Sequence, residues 1–195
     1  MLFQINIDGF VGCIVSVFIV KAGVETLTEA IGNIMGNRPD SEITAGIKKT
    51  ICGIDGVLGA YDLVLHYYGP ESAFGSVHVA VDSDTDANTI YELTNKINEV
   101  VATKYHVFLT VGIYSVDQSK KAETDRIKEI VSRSEGTLGA HGFFIDERTK
   151  RLSFDVEIDF SVKDRDRLSA EIKNGLSKIY PDYAITILFD ANYSD

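Results

Sequence analysis

The sequence predicts an α+β protein: a long apolar N-terminal helix followed by two tandem units of order α-β-β-α-β. Three observations predict it. The run FVGCIVSVFIV, residues 10 to 20, contains no charged side chain. GVLGAY at residues 56 to 61 returns as GTLGAH at residues 136 to 141. After each of these segments, strand-like alternation gives way to helical spacing and then to a strand again, in the same order.

The chain of 195 residues has room for one large domain or two small ones, and its 45% apolar content supports packed cores. A net charge of −10 argues against nucleic acid as a partner and against docking on an anionic membrane surface. It suits metal cations. Residues 1–36, 37–117 and 118–195 carry −2, −6 and −2 of that charge, so the middle segment holds most of the negative field. Cys13 and Cys52 lack metal-ligand spacing and read as free thiols of a reducing compartment.

From Ile5 to Val24 the chain has about 20 residues of apolar character, enough to cross a hydrocarbon core of roughly 30 Å. Asp8 and Lys21 lie near the two ends, where charge reaches the interface. No basic leader or small-residue cleavage site marks a signal peptide. Val24, Leu27, Ile31 and Ile34 extend the helix amphipathically. A soluble amphipathic helix on a partner is the other reading.

PDSE, residues 39 to 42, starts the next helix, with Ile43, Ile47, Ile51 and Ile54 as its apolar stripe. LVLHYYG and FGSVHVAVD read as strands around a GPES turn. In the second of them Phe74, Val77, Val79 and Val81 are apolar, while Ser76, His78, Ala80 and Asp82 take most of the opposite face. A helix after DTDAN presents Ile90, Leu93, Ile97 and Val100, and HVFLTVGIYS closes the unit as a third strand. SDTDAN reads as a helix cap, since it lacks the glycine and terminal Glu of a calcium loop.

The second unit repeats the order. Ile127, Ile130 and Val131 stripe one helix; GAHGFFID and RLSFDVEIDF are strands; SVKD reads as a capping box; Leu168, Ile172, Leu176 and Ile179 stripe the next helix; YAITILFD ends the unit. Each unit is then a three-stranded antiparallel sheet with two helices on one face, ferredoxin-like in element order. In the second unit the other face carries Asp155, Glu157 and Asp159. The domains are residues 1–36, 37–117 and 118–195.

DGFVGCIVSVFIVKAG, IGNIMGNRPDSE and GVLGAYDLVLHYYGPESAFGSVHVAVD together resemble the end of cation diffusion facilitator transporters. The shared motifs are an Asp-Gly opening the last span, a GxPD linker, a GAxDL strand and an SVHVxVD strand. They cover residues 5 to about 116, and the later strands resemble an extra copy found in a subset of the family. The resemblance implies a last transmembrane helix, crossing through residues 5–24, and a cytoplasmic αββαβ domain. It places the chain in a cell (inner) membrane with residues 37–195 in the cytoplasm. It also implies a homodimer and proton-coupled export of zinc, manganese or iron. The family's transport site lies on its second and fifth spans. This chain has at most the sixth, so it reads as a C-terminal portion or a truncated product that cannot transport by itself.

The resemblance further implies a cytoplasmic metal site of four positions. In the first copy these fall on Tyr61, His78, Thr110 and Gly112, leaving one ligand. In the second they fall on His141, Asp155, Leu188 and Asp190, leaving three. The expected metal residues are therefore His78, His141, Asp155 and Asp190, around a divalent ion such as zinc or manganese. His66 and His106 have no nameable partners. No G-x-S-x-G, P-loop or H-E-x-x-H occurs, so the sequence points away from an enzyme. Two other readings remain: a metal-independent structural dimerisation module, and a soluble tandem module for a small ligand.

Overall fold

The computed structural model describes residues 7–35, 41–67 and 73–191; inside these spans the side chains of residues 7, 8, 33–35 and 191 are not described. The Pro39–Asp40 helix start, the GPES turn, residues 5 and 6 of the expected span and the Ile34 side chain fall outside them. Two compact units result, residues 1–37 and 38–195.

The first unit is helix α1, Ile7–Met35. Its stretch Gly9–Gly32, 24 residues, is long and apolar enough to cross a membrane, and none of it is buried by protein. Phe10, Phe18, Ile19 and Val20 are each about two-thirds exposed or more. The hydroxyls of Ser16, Thr26 and Thr28 each donate to the carbonyl four residues earlier. Those polar side chains therefore need no water, the condition a lipid environment imposes.

The second unit holds both copies. The first runs α2 (Ser41–Cys52), β1 (Gly59–Tyr67), β2 (Ala73–Asp82), α3 (Ala87–Tyr105) and β3 (Val107–Val116). The second runs α4 (Lys121–Val131), β4 (Thr137–Asp146), β5 (Arg151–Ile158), α5 (Arg165–Ser177) and β6 (Ala184–Ala191), entered through a 3-10 turn at Gln118–Lys120. The sheets have the orders β1-β2-β3 and β4-β5-β6. Neither is purely antiparallel as expected. β1 and β2 are antiparallel, as are β4 and β5, but β3 runs parallel to β2 and β6 parallel to β5. The cause is the helix between the last two strands, which returns the chain to the end where it started.

Each copy has its own core. Ile47, Ile51, Val77, Val79, Ile97 and Val101 anchor the first; Ile127, Phe154, Val156, Ile172 and Leu176 anchor the second. The stripes follow the sequence with three departures. Val101, rather than Val100, is fully buried on α3. Tyr180, rather than Ile179, closes the second core, because α5 ends at Ser177 and helical spacing stops there. Phe74 shares the outer face with Ser76 and is half-exposed, stacked on Phe108 at 5.6 Å. The caps also differ in one place. Asp86 caps α3 through the amides of Asn88 and Thr89. Asp164 caps α5 through Arg167, whereas the expected Ser161 instead gives its amide to Asp159.

Ile97 is fully buried between α3 and the first sheet. Ile97→Ala is expected to lower unfolding stability by about 2–5 kcal/mol and Ile97→Val by about 0.5–1.5 kcal/mol in urea titrations. Equal, near-zero losses would contradict this core.

Candidate metal centre

Strand alternation puts Tyr61 and Asp62 on opposite faces of β1. The structure breaks that alternation. The pairing of β1 with β2 slips between Tyr61 and Val64, and Asp62 takes φ 54°. A bulge of this kind re-aims one side chain, and Asp accepts the left-handed region more readily than most residues. The second copy slips at the matching place, between His141 and Phe144, with Gly142 at φ 63°. A Cβ on Gly142 would meet Asp155 Oδ2 at 2.6 Å. The same bulge therefore carries a carboxylate in one copy and must carry none in the other.

Asp62 reaches across to the second copy. His141 Nε2 lies 3.3 Å from Asp62 Oδ1, and His141 Nδ1 lies 3.9 Å from Asp155 Oδ2. His141 is 8% exposed, and its ring stacks on Tyr61 with centroids 4.7 Å apart. Asp62, His141 and Asp155 each offer one ligand atom within 4.8 Å of the others. His78 joins this group through Asp62, with Nδ1 2.8 Å from Asp62 Oδ2. The carboxylate only accepts, so the His78 Nδ1–H donates. Gly112, opposite His78 in the sheet, leaves room for that ring; any Cβ there would collide with it.

Tyr114 ties the two copies together. Its hydroxyl lies 2.8 Å from Asp62 Oδ2 and 2.6 Å from Asp155 Oδ2, and its ring stacks on His78. Burial, then the bonds to Asp155 and Asp62, push its phenol far above the ordinary value. The phenol keeps its proton, and the two carboxylates compete for it. Asp190 sits in the same field. Burial first, then the charges of Asp62 and Asp155, raise its carboxyl above the usual range, with His141 and His78 partly offsetting them.

Of the four expected metal residues, the structure gathers His141 and Asp155 with Asp62. It connects His78 by hydrogen bond and leaves Asp190 in electrostatic reach. One correspondence drawn from the sequence is shifted. Thr110 pairs with Ser76 and Thr186 with Ser153; Gly112 pairs with His78 and Leu188 with Asp155. Thr186 and Leu188 thus match Thr110 and Gly112, and Asp190 matches Tyr114. Leu188 is 58% exposed and no ligand. Asp62 and Tyr114 are the residues that the sequence reading missed. The one available signal was the pair GAYD and GAHG, an Asp opposite a Gly at a bulge.

His141 Nδ1 is buried and has no hydrogen-bond partner among the described residues. Leaving such an atom unsatisfied costs about 1–3 kcal/mol. A divalent cation beside Nδ1 and Asp155 would satisfy it and offset the acidic charge, with Asp62 on the Nε2 side of the ring. One imidazole with carboxylate oxygens is a donor set that zinc and manganese accept.

Residues 39–113 match the cation efflux protein, cytoplasmic domain family. An uncharacterized transporter of Methanocaldococcus jannaschii is 28% identical over 86 residues, which cover 44% of this chain and 30% of that protein. The chain therefore matches less than a third of that relative's length.

A carboxyl whose folded-state pKa is raised destabilises the fold once ionised. The cost is absent below the unfolded pKa and complete above the folded one, so the metal-free fold loses stability as pH rises through that interval. In EDTA, Asp190→Asn is expected to raise the melting temperature at about pH 7, by roughly 2–4 °C per kcal/mol relieved, and to change it little near pH 3. A lower melting temperature at neutral pH would contradict the crowding of carboxylates at Asp190.

Proposed function

We infer the function of this chain from one premise: residues 39–113 are the C-terminal cytoplasmic domain of a cation diffusion facilitator. The chain is the C-terminal part of a cation efflux transporter. Helix α1 associates it with a membrane, and the tandem αββαβ copies regulate the transporter by binding a divalent cation at their junction. Zinc or manganese is the ion, held by Asp62 of the first copy and His141 and Asp155 of the second, with His78 and Asp190 around them. When bound, the ion supplies positive charge to an acidic pocket and joins the two copies. The full-length protein exports zinc, manganese or iron in exchange for protons, as a homodimer in a cell membrane with residues 37–195 on the cytoplasmic side.

The observation that carries this reading is the buried, unpartnered His141 Nδ1 facing Asp155 across 3.9 Å. The crossing stretch on α1 and the stacked, exposed Phe74 and Phe108 accord with the membrane and dimer parts. Regulation requires the ion to favour one arrangement of the copies over another, since a ligand with no such preference shifts nothing.

Calorimetric titration of zinc and manganese into the full chain in detergent tests the site. The parent is expected to bind with micromolar affinity, and Asp62→Asn, His141→Ala and Asp155→Asn to weaken binding by about tenfold or more each, as lost charged ligands do. At an ion concentration about 100 times Kd the parent gains about 2.7 kcal/mol of stability. Light scattering on the same samples reads the dimer. Undiminished binding in all three variants would remove the site, and a monomer at every concentration would remove the homodimer.

A further inference from the structure

The metal cluster leaves a larger feature unused. A cavity of about 460 Å³ opens beside it between the two copies, within the size range of small-ligand sites. Its two walls differ in kind. One is a single stripe of α4: Lys121, Thr124, Asp125 and Lys128, at helical spacing. The adjoining face of that helix, about a quarter turn away, packs Ile127 and Val131 into the core, and the polar stripe lines the cavity. The other wall is apolar and aromatic, with Leu58, Tyr61, Phe143 and Phe144 at its surface. Leu58 and Phe144 are each about half exposed, an unfavourable state for large apolar groups that an occupant would relieve.

The charges on the polar wall are unequal in freedom. Lys121 is paired with Asp125 at 3.7 Å. Lys120, also lining the cavity, is held by the Ile145 carbonyl and Glu147. Asp117 gives its carboxylate to Ser119. Lys128 lies over the Phe143 ring at 5.6 Å and has no carboxylate in ion-pair range among the described residues. Across the cavity stands the Tyr61 ring, stacked on His141. One ammonium without a carboxylate partner among the described residues thus stands at the edge of a cavity whose other wall is apolar.

We propose that this cavity is a binding site for a small aromatic anion, its ring lying against Phe144 and Leu58 and its acidic group on Lys128. Tyr61 and His141 touch both the cavity and the metal cluster. The site itself does not require the metal.

The test is calorimetric titration of naphthalene-1-sulfonate into the full chain in detergent, with EDTA present and a micelle blank subtracted. Naphthalene-1-methanol serves as the neutral isostere. One saturable site is expected, with the sulfonate bound about tenfold more tightly than the alcohol. Lys128→Gln should bring the sulfonate down to the alcohol's affinity, and Leu58→Asp should weaken both. Both residues are solvent-accessible, and an unchanged melting curve confirms that each variant folds. Absence of heat above the blank, equal binding of the two probes by the parent, or sulfonate binding that neither substitution weakens would overturn the proposal. Because EDTA removes divalent ions, failure here is independent of failure at the metal centre.

Discussion

The junction of the two copies depends on one constraint: the carboxylates of Asp62 and Asp155 are packed against one tyrosine hydroxyl and a buried histidine. Asp62 and Asp155 both approach the Tyr114 hydroxyl, which has one proton to give. Asp190 lies in the same field, its carboxyl raised by burial and by those two neighbours. The ion pairs at this point involve histidine only, among the described residues. Among the described residues no lysine or arginine pairs with these carboxylates. Like charges in a partly dry site must take up protons or a cation. The neighbouring geometry follows: the bulge that turns Asp62 inward, the glycine that keeps the matching place in the second copy clear, and the histidine rings stacked on Tyr61 and Tyr114.

The duplication supplies the parts by divergence. At matching positions the copies carry Tyr61 and His141, Asp62 and Gly142, His78 and Asp155, Tyr114 and Asp190. None of these four positions holds the same residue in both copies. Each copy alone has an incomplete set: the first has the bulge carboxylate and the hydroxyl, the second the buried imidazole and two further acids. A single site made by both halves gives a ligand something to join, which a pair of identical half-sites would not do.

Much of the architecture was legible in the sequence. The echo of GVLGAY in GTLGAH marked the duplication, and the isoleucine and valine stripes marked the helices, because burial imposes periodicity that a linear reading detects. Asp155 was legible as a polar residue on an outer sheet face, and His141 through the family resemblance. The direction of the third strand was not, since alternation is blind to strand polarity. Asp62 was hidden because it violates alternation: a single residue of positive φ moved it to the face that its neighbours do not share. Tyr114 was hidden for another reason. Its partners lie 52 and 41 residues away on different strands, and nothing local to IYSV signals a proton shared between copies. The shifted assignment of Leu188 had a similar cause, since only strand pairing fixes which residue of β6 stands beside Asp155.

The central claim is that one metal ion is held jointly by the two copies. X-ray absorption at the zinc edge, on the full chain loaded with one equivalent, addresses it most directly. The account predicts a single imidazole with carboxylate oxygens at about 2.0–2.2 Å. It also predicts loss of the imidazole signal in His141→Ala and loss of an oxygen neighbour in Asp62→Asn. A coordination shell with two imidazoles or a thiolate, or one left intact by His141→Ala, would contradict it.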